Sequence, residues 1–212
     1  MSGLIILIPS YNEIKSLRKI ILSIKDKYKI LVVNDGSTDG TVEFLKKNKI
    51  NHIINKNNQG YTLSLIKGIN FIKNNFNKKY ILTIDADGEH RLSFIKKIYN
   101  EIKKKNLDLV IGNRNFKNRI SETLISKYVD IKYGIKDPFS GFKIYKVDYL
   151  YKYINKVNKK KFLIDLVSIY LKNSLKIKNI NIKVNKIKKR KSRTGIGITT
   201  NIKMLSSIKY FI

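Results

Sequence analysis

The chain is predicted to be α/β, a mostly parallel sheet with helices on both faces, and three observations say so. Short apolar runs alternate with longer amphipathic stretches from residue 4 to about 112, the signature of strand and helix taken in turn. The longer stretches place their apolar residues near the 3.6 period. Clusters of polar residues follow four of the apolar runs, where a sheet of this kind binds its ligands, at the carboxyl ends of its strands.

Taken in order, "LIILIP" is the first strand. "EIKSLRKIILSIKDK" is a helix with Ile14, Leu17, Ile20, Ile21 and Ile24 on one face. "KILVVND" is the second strand, and "DGTVEFLKKN" is a helix that Asp39 is placed to cap. "NHIINK", "GYTLSLIKGINFIKNNF", "YILTIDAD", "RLSFIKKIYNEIKKKN" and "LDLVIGNR" continue the alternation through the fifth strand. Beyond residue 115 the pattern loosens. "RISETLISKYVDIKYGI" and "KFLIDLVSIYLKNSL" read as helices, "DPFSGFKIYK" as a turn with a short strand, and "KIKNINIKVNKI" as an exposed or edge strand. "KKRKSRTGIGITTN" reads as a basic loop. The expected organisation is one domain over 1–195 and a carboxyl-terminal segment, 196–212. That segment suits either a membrane interface or packing on the domain.

Composition narrows the function. With 212 residues the chain is long enough to bury a sizeable core, and its lack of cysteine removes thiol catalysis, cysteine-ligated zinc and disulfides. "MSGLIILIPSYNE" lacks the basic lead of a secretory signal, and no apolar run reaches the roughly 18 residues of a spanning helix. A cytoplasmic protein is expected, at most peripheral on the cytoplasmic face of the membrane. The net charge of +30 comes from 39 Lys and 6 Arg, and Lys, Ile and Asn together make 99 residues. That bias is the one an AT-rich genome imposes, so part of the charge is background. The chain also lacks an aromatic and arginine-rich recognition pattern, which argues against nucleic acid. An anionic membrane surface or a phosphate-bearing substrate fits the charge better.

Against this background, Asp85, Asp87 and Glu89 stand within five positions of "ILTIDADGEH". Carboxylate oxygens are what hard divalent cations select, and Mg2+ or Mn2+ held by few protein groups keeps sites free for substrate phosphates. The alternative is a helix-capping turn with solvated acids.

"IPSYNE", "VVNDGSTDGT", "NNQGYTLSLIKG", "DADGEH", "GNR" and "DPFSGFKIYK", in that order, resemble the motifs of family 2 glycosyltransferases with the GT-A fold. The combination is most similar to polyprenyl-phosphate sugar transferases of the dolichyl-phosphate mannosyltransferase type. The resemblance implies donor binding by Pro9, Tyr11, Glu13, Asp35, Asn58, Gly60, Asp85, Ala86 and Asp87, with Asp35 reading the base of a GDP- or UDP-sugar. It implies a Mg2+ or Mn2+ ion on Asp85, Asp87 and Glu89, and Arg114 near the donor sugar and phosphates. Arg119, Ser121, Arg190 and Arg193 fall where related enzymes hold an acceptor phosphate. Asp137 is the candidate base and Asp165 a weaker one, needed only when the acceptor is a sugar hydroxyl. Asn34, Thr62, Asn113 and Glu89 depart from the family pattern. The expected reaction moves a sugar from a nucleotide donor to a polyprenyl phosphate. A glycan acceptor is the nearest alternative, and a basic binding protein without catalysis is the reading from another class.

Overall fold

A computed structural model of the protein describes residues 2–117, 119–158, 162–185, 201 and 205–211. Among them the elements run β1 (Leu4–Ser10), α1 (Ile14–Ile24), β2 (Lys29–Asn34), α2 (Thr41–Lys47), β3 (Asn51–Ile54), α3 (Tyr61–Asn75), β4 (Tyr80–Thr83), α4 (Phe94–Lys104) and β5 (Leu109–Arg114). They continue with α5 (Ile120–Tyr133), β6 (Lys143–Lys146), α6 (Val147–Tyr153), α7 (Phe162–Lys172) and β7 (Ile177–Ile182).

The strands make one sheet in the order β3-β2-β1-β4-β6-β5-β7. Every pairing is parallel except those of β6, which lies antiparallel between β4 and β5. The alternating stretch after residue 176 is the edge strand β7. All seven residues of β1 are buried, as expected of a central strand covered on both faces. Its side chains divide by the period of two. Leu4, Ile6 and Ile8 join the core under α1 and α4, and Ile5 and Leu7 join the core under α3, α5 and α7. Helix α3 approaches closely enough that a Cβ at Gly68 would lie 2.4 Å from Leu7 Cδ1.

Two details differ from the sequence reading. Strand β4 stops at Thr83, because its partner β6 begins at Lys143 and the register pairs Thr83 with Lys143. The acids therefore lie in a turn, with Gly88 at φ 82°. The N-cap of α2 is Gly40. The Asp39 carboxylate instead accepts from Thr41 N and Oγ1 and, through Oδ2, from Ile14 N at 2.8 Å, tying the starts of α2 and α1 together. Of the carboxyl-terminal segment, residues 206–210 form a 3-10 turn, and Phe211 is buried beside Tyr133, whose hydroxyl donates to its carbonyl.

Candidate active site

The loops after β1, β2, β4 and β5 all emerge at one edge of the sheet, and hydrogen bonds join the first to the second. Pro9 is buried near the end of β1 and pairs with Val33. In the next loop Asn12 N donates to Ser37 Oγ and Thr38 N donates to Asn12 Oδ1, so the first loop is stapled to the second. Tyr11 and Glu13 flank this staple, half-buried.

Asp35 is buried, and its carboxylate is engaged within the chain. Oδ1 accepts from Asn55 Nδ2 at 2.8 Å and Gln59 N at 2.9 Å, and Oδ2 accepts from Gly60 N at 2.8 Å. It thus shapes the 55–60 loop, leaving Asn58 exposed and Gly60 at the start of α3. Gly36, at φ 76°, lies under that loop, where a Cβ would come within 2.8 Å of the Asn57 carbonyl carbon. Next to Asp35, Asn34 is 1 % exposed, and neither its amide nitrogen nor its oxygen has a hydrogen-bond partner. Ser10 Oγ, at the paired position on β1, is unpartnered as well. Buried polar atoms are nearly always satisfied, so these groups suit a bound molecule or water.

In the acid turn, Ala86 is buried and Asp85 and Asp87 are half-buried. Asp85 Oδ1 is buried without a partner. Burial lifts the Asp85 carboxyl above the ordinary range, although 29 % of its side chain still meets solvent. His90 is held under the turn: Nδ1 accepts from Asp85 N at 3.2 Å, which leaves the proton on Nε2, 3.7 Å from Asp85 Oδ2. Asp87 Oδ1 accepts from Glu89 N at 2.9 Å. Tyr61 presents a buried hydroxyl toward Asp85 without closing a hydrogen bond. Burial first, and the carboxylate second, hold that phenol well above its usual pKa.

Among the described residues no three carboxylate or imidazole side chains converge on one point, so Glu89 does not complete a preformed cage with Asp85 and Asp87. What does fit a hard cation is the pair Asp85 and Asp87, with the orphaned Asp85 oxygen and sites left over for phosphate. The glycine of "PFSGF" keeps room for it, since a Cβ at Gly141 would lie 2.5 Å from both Asp85 oxygens.

Beside the turn stands a buried ionic network. Arg114 Nε donates to Asp137 Oδ2 at 2.7 Å and Nη2 to Oδ1 at 3.0 Å; Nη2 also reaches Glu122 Oε2 at 3.2 Å, and Glu122 Oε1 pairs with Arg119. The Asp137 side chain is 0 % exposed. Burial alone would raise its pKa, but the hydrogen bonds and charge of Arg114 outweigh it and hold the carboxyl below the usual value. Asp137 is thus the counter-ion of Arg114, enclosed and already bonded through both oxygens. Ser121 N donates to Asn201 Oδ1 at the start of α5. Asp165 stands apart from this group, on α7, bonded to Asn158 N. Arg190 and Arg193 lie outside the described residues.

The sequence reading passed over Glu122, Tyr61 and Lys143. Lys143 is fully buried; its ammonium donates to the carbonyls of Pro138, at 2.9 Å, and Ser140. Thr83 Oγ1 donates to Gly141 O at 2.7 Å, so the two side chains hold the Asp137–Gly141 turn against the acids. Burial pushes the Lys143 pKa down to about 7. A cleft of about 770 Å³ opens beside Arg114, lined by Lys97, Lys117, Lys127, Lys136 and Lys183, with Asp130 its one acid among the described residues.

The mostly parallel sheet, with a carboxylate pair and a basic cleft at its carboxyl edge, has the GT-A fold. The model of glycosyl transferase family 2 matches residues 5–176, and the chain belongs to that family. An uncharacterized protein of Methanocaldococcus jannaschii is 33 % identical over 167 residues, covering 69 % of this chain and 73 % of the relative. A dolichyl-phosphate beta-glucosyltransferase of Trichomonas vaginalis is 26 % identical, covering 94 % of this chain and 71 % of its own. The crystal structure of glucosyl-3-phosphoglycerate synthase from Mycobacterium tuberculosis in complex with Mn2+, UDP-glucose and phosphoglyceric acid has a TM-score of 0.74 at 14 % identity. It covers 98 % of this chain and 80 % of that one.

Proposed function

We propose that the protein is a metal-dependent glycosyltransferase that moves a sugar from a nucleotide donor to a polyprenyl phosphate, peripherally at the cytoplasmic face of a membrane. The observation that carries the choice of acceptor is the state of Asp137. A sugar hydroxyl needs a general base to take its proton, and the candidate base is enclosed and saturated by Arg114. A lipid phosphate is already anionic and attacks without one. The relative that acts on dolichyl phosphate, by its name, supports the same choice.

In this reading the 55–60 loop and Tyr11 hold the base and ribose, with Asp35 as the residue that shapes the loop. Asp85 and Asp87 would hold Mg2+ or Mn2+, which when bound supplies positive charge to the departing diphosphate. The basic cleft draws in the acceptor phosphate, and Arg119 and Ser121 at the start of α5 orient it. A phosphate oxygen forms a bond to the anomeric carbon as the bond from that carbon to the donor diphosphate breaks, and the nucleoside diphosphate leaves with the electron pair. Arg114, braced by two carboxylates, keeps a fixed positive charge close to this exchange.

Thermal stability against UDP-, GDP- and dTDP-sugars, with and without Mn2+, tests the donor site. A shift with one nucleotide that needs the metal and disappears in Asp87→Ala is expected. Transfer of radiolabelled sugar into an organic-extractable product then tests the acceptor. No shift with any nucleotide, or transfer to a saccharide alone, would refute the reading.

A further inference from the structure

Helix α5 carries apolar residues on two opposite faces. Ile125 and Val129 are fully buried against the sheet. On the other side Ile120, Leu124 and Ile131 are 76 %, 54 % and 80 % exposed, three of the most exposed large apolar side chains among the described residues. At about 100° per residue these three fall within an arc of about 40°, so they form one stripe along the helix. Lys127 borders the stripe on the side of the cleft, and Tyr128 and Lys132 stand on its other flank, the ammonium over the Tyr128 ring and donating to its hydroxyl. Lys117 and Lys136 flank the helix at its two ends, and both line the basic cleft. Glu122 is buried and paired, which leaves Asp130, at the cleft, as the acid of this face.

We infer that this face of α5 is the surface by which the protein rests on an anionic lipid bilayer, with Ile120, Leu124 and Ile131 entering the headgroup and acyl boundary. Lipid is the occupant that the chemistry selects. An apolar stripe bordered by lysines and a tyrosine is what an interfacial helix presents to anionic headgroups. A stable contact between two copies needs some 20–30 residues a side, and three side chains fall far short. The placement also serves the site: Thr123, Ser126 and Lys127 of the same helix wall the cleft beside Arg114. A helix laid on the bilayer therefore opens that cleft at the level of the lipid phosphates. This inference rests on the proposed lipid-phosphate acceptor and says which surface meets the lipid.

Flotation with vesicles of phosphatidylcholine, with and without phosphatidylglycerol, tests it on the full chain. Wild type is expected to bind the anionic vesicles. Ile120→Gln/Leu124→Gln/Ile131→Gln is expected to bind roughly a hundredfold more weakly, about fivefold for each half-inserted aliphatic side chain, with its circular dichroism and donor-induced thermal shift unchanged. Leu22→Gln/Phe71→Gln, which removes exposed apolar residues elsewhere, is expected to bind like wild type. Equal binding by the triple variant, or no vesicle binding by wild type, would overturn the inference. So would a wild-type dimer that the triple variant dissolves into monomers. Vesicle binding lost in the triple variant, with no sugar transferred to polyprenyl phosphate by wild type, supports the membrane face and removes the acceptor. Transfer to polyprenyl phosphate with vesicle binding intact in the triple variant does the reverse.

Discussion

Replacing Asp137 by Asn removes the negative charge that faces Arg114 while keeping the size of the side chain. Asp137 is fully buried and the Arg114 side chain is 12 % exposed, so little solvent reaches the guanidinium to take over. Breaking a buried pair from one side costs about 3–5 kcal/mol, because a desolvated charge is left without its partner. Glu122 remains at 3.2 Å from Nη2 but is shared with Arg119, which sets the expectation near the lower end, about 3 kcal/mol. For a chain of this size that lowers the melting temperature by roughly 10 °C. Urea denaturation followed by circular dichroism reads it directly. The effect has a pH signature: a carboxyl held below its unfolded pKa contributes stability that is present above about pH 4 and is lost as pH falls below it, and the Asn variant lacks that component. The double variant Arg114→Met/Asp137→Leu is expected to recover most of the stability, since apolar pairs commonly replace buried ion pairs without loss. An unchanged urea midpoint in Asp137→Asn together with abolished sugar transfer would refute the argument and restore Asp137 as a base.

Two further substitutions probe the other side of the same turn. Lys143→Met removes a lysine whose folded pKa, about 7, lies below its unfolded one. The folded wild type then binds fewer protons than the unfolded chain, so its stability rises between about pH 7 and pH 10 by about 1.4 kcal/mol per unit from this group. Melting wild type and variant across that range is expected to show a slope in the first that the second lacks, and parallel curves would contradict it. Gly141→Ala puts a Cβ 2.5 Å from both Asp85 oxygens. A stability loss of about 1–3 kcal/mol is expected, with the metal-dependent donor shift abolished, and an intact shift would show that Asp85 needs no such clearance.

Much of the fold was legible because its signals are local. "LIILIP" and "KILVVND" are buried on both faces and read as continuous apolar runs, and α4 buries Ile95, Ile98, Tyr99 and Ile102 at helical spacing. The site was legible as a place, since the polar clusters sit just where their strands end. Its partnerships were not. Nothing in "FKIYK" tells that four residues slip antiparallel between β4 and β5, and the sequence reading assigned no helix over Val147–Tyr153, where α6 stands. A lysine in such a strand would be assigned to the surface, and Lys143 is buried because two carbonyls of its own turn receive its ammonium.

By itself, then, the sequence determined the alternation of strands and helices, the mostly parallel sheet, the cluster of acids at its carboxyl edge and the family those motifs resemble. Each of these rests on spacing along the chain. Tertiary structure alone decided which charges meet: that Asp137 answers Arg114, that Glu122 joins two arginines, and that one face of α5 is left bare. Those outcomes depend on how packing encloses each group, because burial raises the cost of an unpaired charge and so selects its partner.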